Sequence, residues 1–310
     1  MHIPVLLKQS IKSLKIIENG VYIDATFGSG AHTKAILNKL NFHGKLYALD
    51  KDPNSINIAK KIQDHRFTFI SDSFSNIKKY CKKLNIIKKV NGILLDLGIS
   101  SIQLDDPNRG FSFKKDGPLD MRINQKNGLS AAQLLMQSKK EKIQKILKKY
   151  GEERFSKKIA YNIDKQNKIK PILKTSELYN LILKSTPYQK KNPARRSFQA
   201  IRIYLNNELK ELKNVLSCIT KILSIGGILS VISFHSLEDK IIKKFLFQNS
   251  QKIPNIPKNI PLTYQELKKM NKNKRKFKIF KKIFPTKKEI LKNSRCRSAI
   301  LRSAKLIHNS

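Results

Sequence analysis

Val21-Tyr-Ile-Asp-Ala-Thr-Phe-Gly-Ser-Gly-Ala-His-Thr33 is the stretch that decides how the chain folds. Val21, Tyr22 and Ile23 are β-formers and the apolar run stops at Asp24, which predicts a short buried strand. Gly28 and Gly30 allow a tight turn, since neither carries a Cβ. Residues 32–40 follow with helical spacing, Ala35, Ile36 and Leu40 lying along one side. A strand, a Gly-rich turn and a helix N-terminus make a pocket of backbone N–H groups for a polar or anionic ligand. The dinucleotide pattern G-x-G-x-x-G would need glycine at position 33, where Thr33 stands. Lys45-Leu-Tyr-Ala-Leu-Asp50 then reads as a second strand ending in an acid. Asp50 lies about 20 residues beyond the glycines, the spacing at which a carboxylate reaches ribose hydroxyls.

The alternation continues outward from there. Residues 53–61 read as a helix opened by Pro53, residues 66–71 as a strand leading to Phe74, and residues 77–84 as a further helix. Asn91-Gly-Ile-Leu-Leu-Asp-Leu-Gly98 is an apolar run suited to a central parallel strand. This order predicts a doubly wound, mostly parallel α/β sheet with its site at the C-terminal strand ends, where Asp24, Asp50, Phe74 and Asp96 all fall.

From about residue 103 the rhythm changes. Asp105 to Phe113 and Asp116 to Arg122 are turn-rich, and helical patterns follow over 130–135, 140–150, 154–162, 175–184 and all or part of 193–223. No strand of any length is predicted between 104 and 208, so the block reads as an all-helical insertion. The expected division is 1–103 and 209–310 for the sheet domain and 104–208 for the insert. The sheet resumes at residues 226–235, a helix follows over 236–247, and residues 298–307 read as a closing strand. Residues 251–284, basic and rich in Pro and Asn, are expected to form a loop with little fixed structure.

Composition narrows the class. With 310 residues and 40% hydrophobic content the chain can bury a real core, and no apolar run approaches the ~20 residues of a membrane span. Cys81, Cys218 and Cys296 lie too far apart for a disulfide framework or metal-ligand spacing, so no metal is expected. These features, with an N-terminus lacking a secretory pattern, predict a cytoplasmic protein. The 64 Lys and Arg against 22 Asp and Glu give a net charge of +42, which suggests a polyanionic partner. Lys, Ile and Asn crowd every loop, so part of that charge is compositional drift; its sign survives the discount.

The pattern Asp24-x-x-x-Gly28-x-Gly30 resembles motif I of S-adenosylmethionine (SAM) methyltransferases. Along nearly its whole length the chain resembles the RsmH (MraW) family. The matching stretches include Asp24 to His32, Gly92 to Ser101, Gln103-Leu-Asp-Asp106, Arg109-Gly-Phe-Ser-Phe113, Asp116 to Arg122, Tyr150-Gly-Glu-Glu-Arg154, Phe198-Gln-Ala-Ile-Arg202 and Ser233-Phe-His-Ser-Leu-Glu-Asp239. The resemblance implies a Rossmann-like domain interrupted by a helical substrate domain. It also implies N4-methylation of one cytosine in the decoding region of 16S rRNA, with SAM as donor and rRNA, within the small ribosomal subunit, as partner. No membrane or obligate protein partner is expected, and a homodimer is compatible. By position, the implied cofactor-binding residues are Gly30, Ala31, His32, Asp50, Phe74, Asp96 and Gln103. In those roles, N–H groups of the turn receive a carboxylate, Asp50 takes ribose hydroxyls and Phe74 faces the adenine. Ala31 stands where the family usually has glycine; with negative φ it is harmless, and with positive φ it would cost about 1 kcal/mol.

A cytosine amino group is a poor nucleophile, so catalysis needs in-line positioning, a hydrogen-bond acceptor and an exit for a proton. Asp96 is the first candidate acceptor and His235 the second; alternatively Asp96 only binds the cofactor and His235 is structural. For RNA, Arg109, Arg195, Arg196 and Arg202 are candidate contacts, because guanidinium forks suit phosphates and base edges. Phe111 and Phe113 stack an extruded base or pack the insert, and Asp116 to Arg122 reads as a turn network. Two rival classes share some of these features: a methyltransferase of DNA or protein, and a non-enzymatic nucleic-acid binder. Acids at three strand ends argue against the second.

Overall fold

The computed structural model describes residues 4–188, 192–250, 263, 265–266 and 276–308. The chain forms two compact units, residues 1–98 with 210–310, and residues 99–209.

The first unit is built on a seven-stranded sheet. Its strands are β1 (Val21–Asp24), β2 (Lys45–Leu49), β3 (Phe67–Ile70), β4 (Val90–Asp96), β5 (Leu223–Ser233), β6 (Phe277–Ile279) and β7 (Ile300–Leu306), in the order β3-β2-β1-β4-β5-β7-β6. β1 to β5 run parallel, with Ile23 beside Tyr47 on one side and Ile93 on the other; β7 is antiparallel to β5 and to β6. Helices α1 (Leu7–Leu14), α2 (Ala31–Leu37), α3 (Asn54–Ala59), α4 (Ile77–Lys83), α11 (Glu208–Ile222) and α12 (Ser236–Gln248) accompany the sheet. Ile93 and Leu95 of β4 pack with Leu212, Val215 and Ile219 of α11, whereas Leu94 packs with Leu14, Ile36 and Leu37 from α1 and α2. Alternate side chains thus enter cores on opposite faces, which is why β4 is apolar throughout. Gly92 lets the Tyr22 ring lie flat across β4, since a Cβ there would come within 2.8 Å of that ring.

The sheet is the expected doubly wound, mostly parallel one, with two differences at its C-terminal edge and N-terminus. Residues 277–279, expected within a loop, form edge strand β6, because Phe277 is fully buried beside Phe245 while Lys278 faces solvent. Residues 251–262, 264 and 267–275 of that expected loop lie outside the described residues. The N-terminal helix α1 was not anticipated.

The second unit is helical: α5 (Ser101–Asp105), α6 (Ala131–Gln137), α7 (Lys140–Gly151), α8 (Ser156–Ile169), α9 (Thr175–Ser185) and α10 (Ala194–Leu205). Leu134, Ile143, Leu147, Ile159, Ile163, Leu178, Ile182, Phe198 and Ile201 share one core. The unit starts at residue 99 rather than 104 because Ser100 caps α5 through a capping box. α8 runs past the expected residue 162, its last turn too polar to signal a helix. The helical run over 193–223 breaks at Asn206-Asn207, where Asn207 adopts φ +54°. Asn206 accepts from the Ile123 N–H and donates to the Met121 carbonyl, pinning the break to the turn network.

Candidate active site

The carboxylates at the ends of β1, β2 and β4 converge on the Gly-rich turn. Asp24 is fully buried and accepts from the Thr33 hydroxyl at 2.7 Å and the Thr26 N–H at 3.2 Å. Burial pushes its carboxyl up to about 6, against the pull of those hydrogen bonds. Thr33, the residue that breaks the dinucleotide pattern, is therefore the partner of the motif's acid. Thr26 reaches the other way, its hydroxyl accepting from the Asp96 N–H at 2.6 Å.

Asp50 braces the turn. Its Oδ2 accepts from the Gly28 N–H and the Ser55 hydroxyl, both at 2.8 Å, and its Oδ1 from the Asp52 N–H at 2.8 Å. Burial raises its pKa. Each carboxylate oxygen has two lone pairs, so Oδ1 retains capacity for a ribose hydroxyl. The turn's own N–H groups differ from expectation. Gly28 donates to Asp50 and Gly30 donates to the Phe27 carbonyl at 2.8 Å, so neither is available to a carboxylate. The first turn of α2 begins at Ala31, where helix geometry leaves N–H groups without intrahelical acceptors, and the Thr33 N–H turns to Asp24. Gly30 caps the helix at φ +77°, and a Cβ there would sit 3.0 Å from the Phe27 ring. Ala31 is the first helical residue and its φ is not positive, so alanine costs nothing in backbone strain.

Asp96 stands apart from the other two acids. Its Oδ1 has no hydrogen-bond partner among the described residues, and its Oδ2 lies 3.8 Å from Nδ1 of the buried His32. Burial, then the charges of Asp24 and Glu238, push its carboxyl well above the ordinary range. His235 behaves differently from the proton acceptor expected of it. It is the N-cap of α12, its Nδ1 accepting from the Glu238 N–H at 3.4 Å while Nε2 lies 3.1 Å from Glu238 Oε1. Glu238 also accepts from the Phe234 N–H at 2.8 Å. The ring thus holds the start of its own helix. The histidine facing Asp96 is His32, which the sequence reading valued only for its place in the turn. Phe74 opens a short 3-10 turn beyond β3 and is half-buried against the core.

Gln103 belongs to the helical unit, where its side chain closes the α5 capping box by accepting from the Ser100 N–H at 2.9 Å. The arginines of that unit divide sharply. Arg109 is 3% exposed and donates to the carbonyls of Arg122 and Ile123, so it is a packing residue, not a free phosphate contact. Arg202 forms a two-pronged pair with Glu208 at 2.9 Å and is likewise committed. Arg195 and Arg196 are exposed, Arg196 reaching the Glu152 carbonyl only at 3.5 Å; Arg154 is exposed as well. Phe111 is buried and Phe113 stacks on Tyr179 with centroids 5.6 Å apart, so both pack the insert. Asp116 caps α9 at the Ser176 N–H, and Asp120 holds Arg122 through two oxygens, the expected turn network.

An orphaned carboxylate oxygen at Asp96, a spare lone pair on Asp50 and the half-buried ring of Phe74 fit a nucleoside bearing a cationic group. Together with the sheet they define a Rossmann-like methyltransferase of the SAM-dependent class. Comparison with known proteins narrows this. The sequence profile of the MraW methylase family matches residues 1–307, and the chain belongs to that family. A Wigglesworthia glossinidia brevipalpis protein, "Ribosomal RNA small subunit methyltransferase H", is 55% identical over 306 residues, covering 98% of each chain. A Buchnera aphidicola (subsp. Acyrthosiphon pisum, strain Tuc7) protein of the same name is 51% identical over 307 residues, 98% of this chain and 97% of its own. Among solved structures, an rRNA methylase from Streptococcus thermophilus aligns over 99% of both chains, with a TM-score of 0.42 and 11% identity.

Proposed function

We propose that the protein transfers the methyl group of SAM to the exocyclic N4 of one cytosine in the decoding region of 16S rRNA. The observation that carries the reading is the near-full-length match, at 55% and 51% identity, to two relatives named as small-subunit rRNA methyltransferases. The cytosine and its position come from the motif resemblance. An amine as acceptor also suits the acidic strand ends, because a +42 chain has no use for buried acids in gripping phosphate.

Bound SAM supplies an electrophilic methyl on its sulfonium. The remaining work falls to the chain. Asp50 Oδ1 accepts from a ribose hydroxyl and Phe74 offers its ring to the adenine. Asp96 Oδ1 accepts from the cytosine amine, which turns the nitrogen lone pair toward the methyl and gives the departing proton a destination. Burial raises the pKa of this carboxyl, and a carboxylate of raised pKa is a stronger base than an ordinary one. In the helical unit, Arg195 and Arg196, with Arg154, supply cations for the rRNA backbone. The reaction belongs in the cytoplasm, with the ribosome. No helix among the described residues is long and apolar enough to cross a membrane.

The test is transfer of labelled methyl from SAM to small ribosomal subunits lacking the modification, with naked rRNA and DNA in parallel. Label recovered as N4-methylcytidine at one site is the expected outcome. Label confined to DNA or protein would overturn the substrate while leaving the fold class intact.

A further inference from the structure

The side chain of His32 has no part in the steps above, yet it is the group best placed to serve Asp96. It lies in the first turn of α2, 5% exposed, with Nδ1 3.8 Å from Asp96 Oδ2. Among the described residues, the charged groups that face Asp96 from the surrounding elements are Asp24 on β1, Glu238 on α12 and His32 on α2. Two of these are acids that oppose its ionisation, so the imidazole is the one that can offset a negative charge there. Asp96 divides its oxygens accordingly: Oδ2 turns to the ring and Oδ1 has no hydrogen-bond partner among the described residues. A separation of 3.8 Å is beyond a hydrogen bond, but such contacts in ligand-free sites are commonly long and tighten when substrate binds.

We propose that His32 is the positioning residue for Asp96: its ring holds Oδ2, leaves Oδ1 for the cytosine amine, and shares the proton the amine loses. The step balances without any further reactant. The new N4–C bond uses the nitrogen lone pair, and the electrons of the breaking C–S bond go to sulfur. The electrons of the departing N4–H bond stay on nitrogen, and that proton goes to Asp96 Oδ1. The pair then holds that one proton, on the carboxyl or on Nδ1 of His32, and returns it to water after the product leaves. Without the ring, Asp24 and Glu238 would oppose return of the carboxyl to its charged form.

The inference rests on Asp96 as acceptor, so its test has an arm independent of methylation. In the ligand-free protein, ring nitrogen resonances of labelled histidine are followed against pH in wild type and in D96N. H32N identifies His32 among the six histidines. The His32 midpoint is expected to move by about one pH unit on removing the carboxylate, since an opposite charge at this range favours the protonated ring. The second arm measures single-turnover methyl transfer to small subunits against pH in H32Q and H32N. Their rates at pH 7 and saturating SAM are expected to fall about 10²-fold, the usual worth of a positioned proton carrier, with a displaced pH profile. A His32 ring that titrates identically in D96N and wild type, or that holds one protonation state throughout in both, would overturn the proposal. So would H32Q with the wild-type pH profile. If wild type transfers no methyl group, the functional reading fails and the resonance comparison still decides the pair.

Discussion

Replacing Thr33 with Val keeps the shape of the side chain and removes the hydroxyl that donates to buried Asp24 at 2.7 Å. A hydrogen bond to a charged group contributes roughly 1.5–3 kcal/mol, and one to a neutral carboxyl about 1 kcal/mol. Which figure applies depends on pH, because the Asp24 carboxyl titrates near 6 in the folded chain against an ordinary value of 3.8. The sign follows from linkage. The folded state binds this proton more tightly than the unfolded one, so Asp24 lowers stability as pH rises from about 4 through about 6. The total is roughly 3 kcal/mol, given about 1.4 kcal/mol for each pH unit. Thr33 limits that loss by stabilising the carboxylate. Thr33→Val is therefore expected to cost about 1 kcal/mol at pH 5 and about 2–3 kcal/mol at pH 8. Thermal unfolding followed by far-ultraviolet circular dichroism at both pH values, wild type beside variant, cancels the other titrating groups. The drop in Tm should be about twice as large at pH 8. Equal drops at the two pH values would refute the argument that Asp24 is a buried acid held by this hydroxyl.

Other substitutions separate structural from functional roles. Arg202→Ala, which strands Glu208 in a largely buried pair, should destabilise the protein by about 3 kcal/mol in thermal unfolding. Arg195→Ala with Arg196→Ala should leave Tm within the effect of ordinary surface changes, about 0.5 kcal/mol, and instead weaken rRNA binding and flatten its salt dependence. Gly151→Ala would bring a Cβ to 2.6 Å from the Arg196 carbonyl, forcing α7 off α10 at a cost of about 1–3 kcal/mol, read as a lower Tm. Ala31→Gly should change SAM affinity, measured by calorimetry, by less than twofold, because the backbone there is already helical and gains nothing from glycine.

The sheet was legible because its signals are local. Apolar runs closed by Asp24, Asp50 and Asp96, with a Gly-rich turn after the first, specify parallel strands with their acids at one end of the sheet. Edge strand β6 was not, because its one buried side chain, Phe277, stands among lysines that make the segment look like solvated loop. The arginines show a second limit. Arg109 and Arg195 are the same residue in sequence, but only the fold decides that one guanidinium is enclosed by carbonyls and the other faces solvent. Pairings such as Asp24 with Thr33 and Asp96 with His32 join a strand end to a helix that begins elsewhere. For Thr33 a hint existed, a hydroxyl where a dinucleotide site would have glycine. For His32 there was none, because its place in the turn gave it a backbone role sufficient to explain it. For His235 both readings stood, proton acceptor or structural histidine, and the i,i+3 glutamate that pairs with it as the N-cap of α12 was in plain view.

The central claim is that Asp96 receives the cytosine amine at a site built by the strand ends. It is tested most directly by measuring SAM binding and single-turnover methyl transfer to unmodified small subunits in wild type and Asp96→Asn. The variant is expected to keep SAM affinity within about tenfold while transfer to N4 falls by about 10²-fold or more, the scale of a lost general base. Transfer at the wild-type rate, or a loss of transfer accounted for entirely by lost SAM binding, would contradict it.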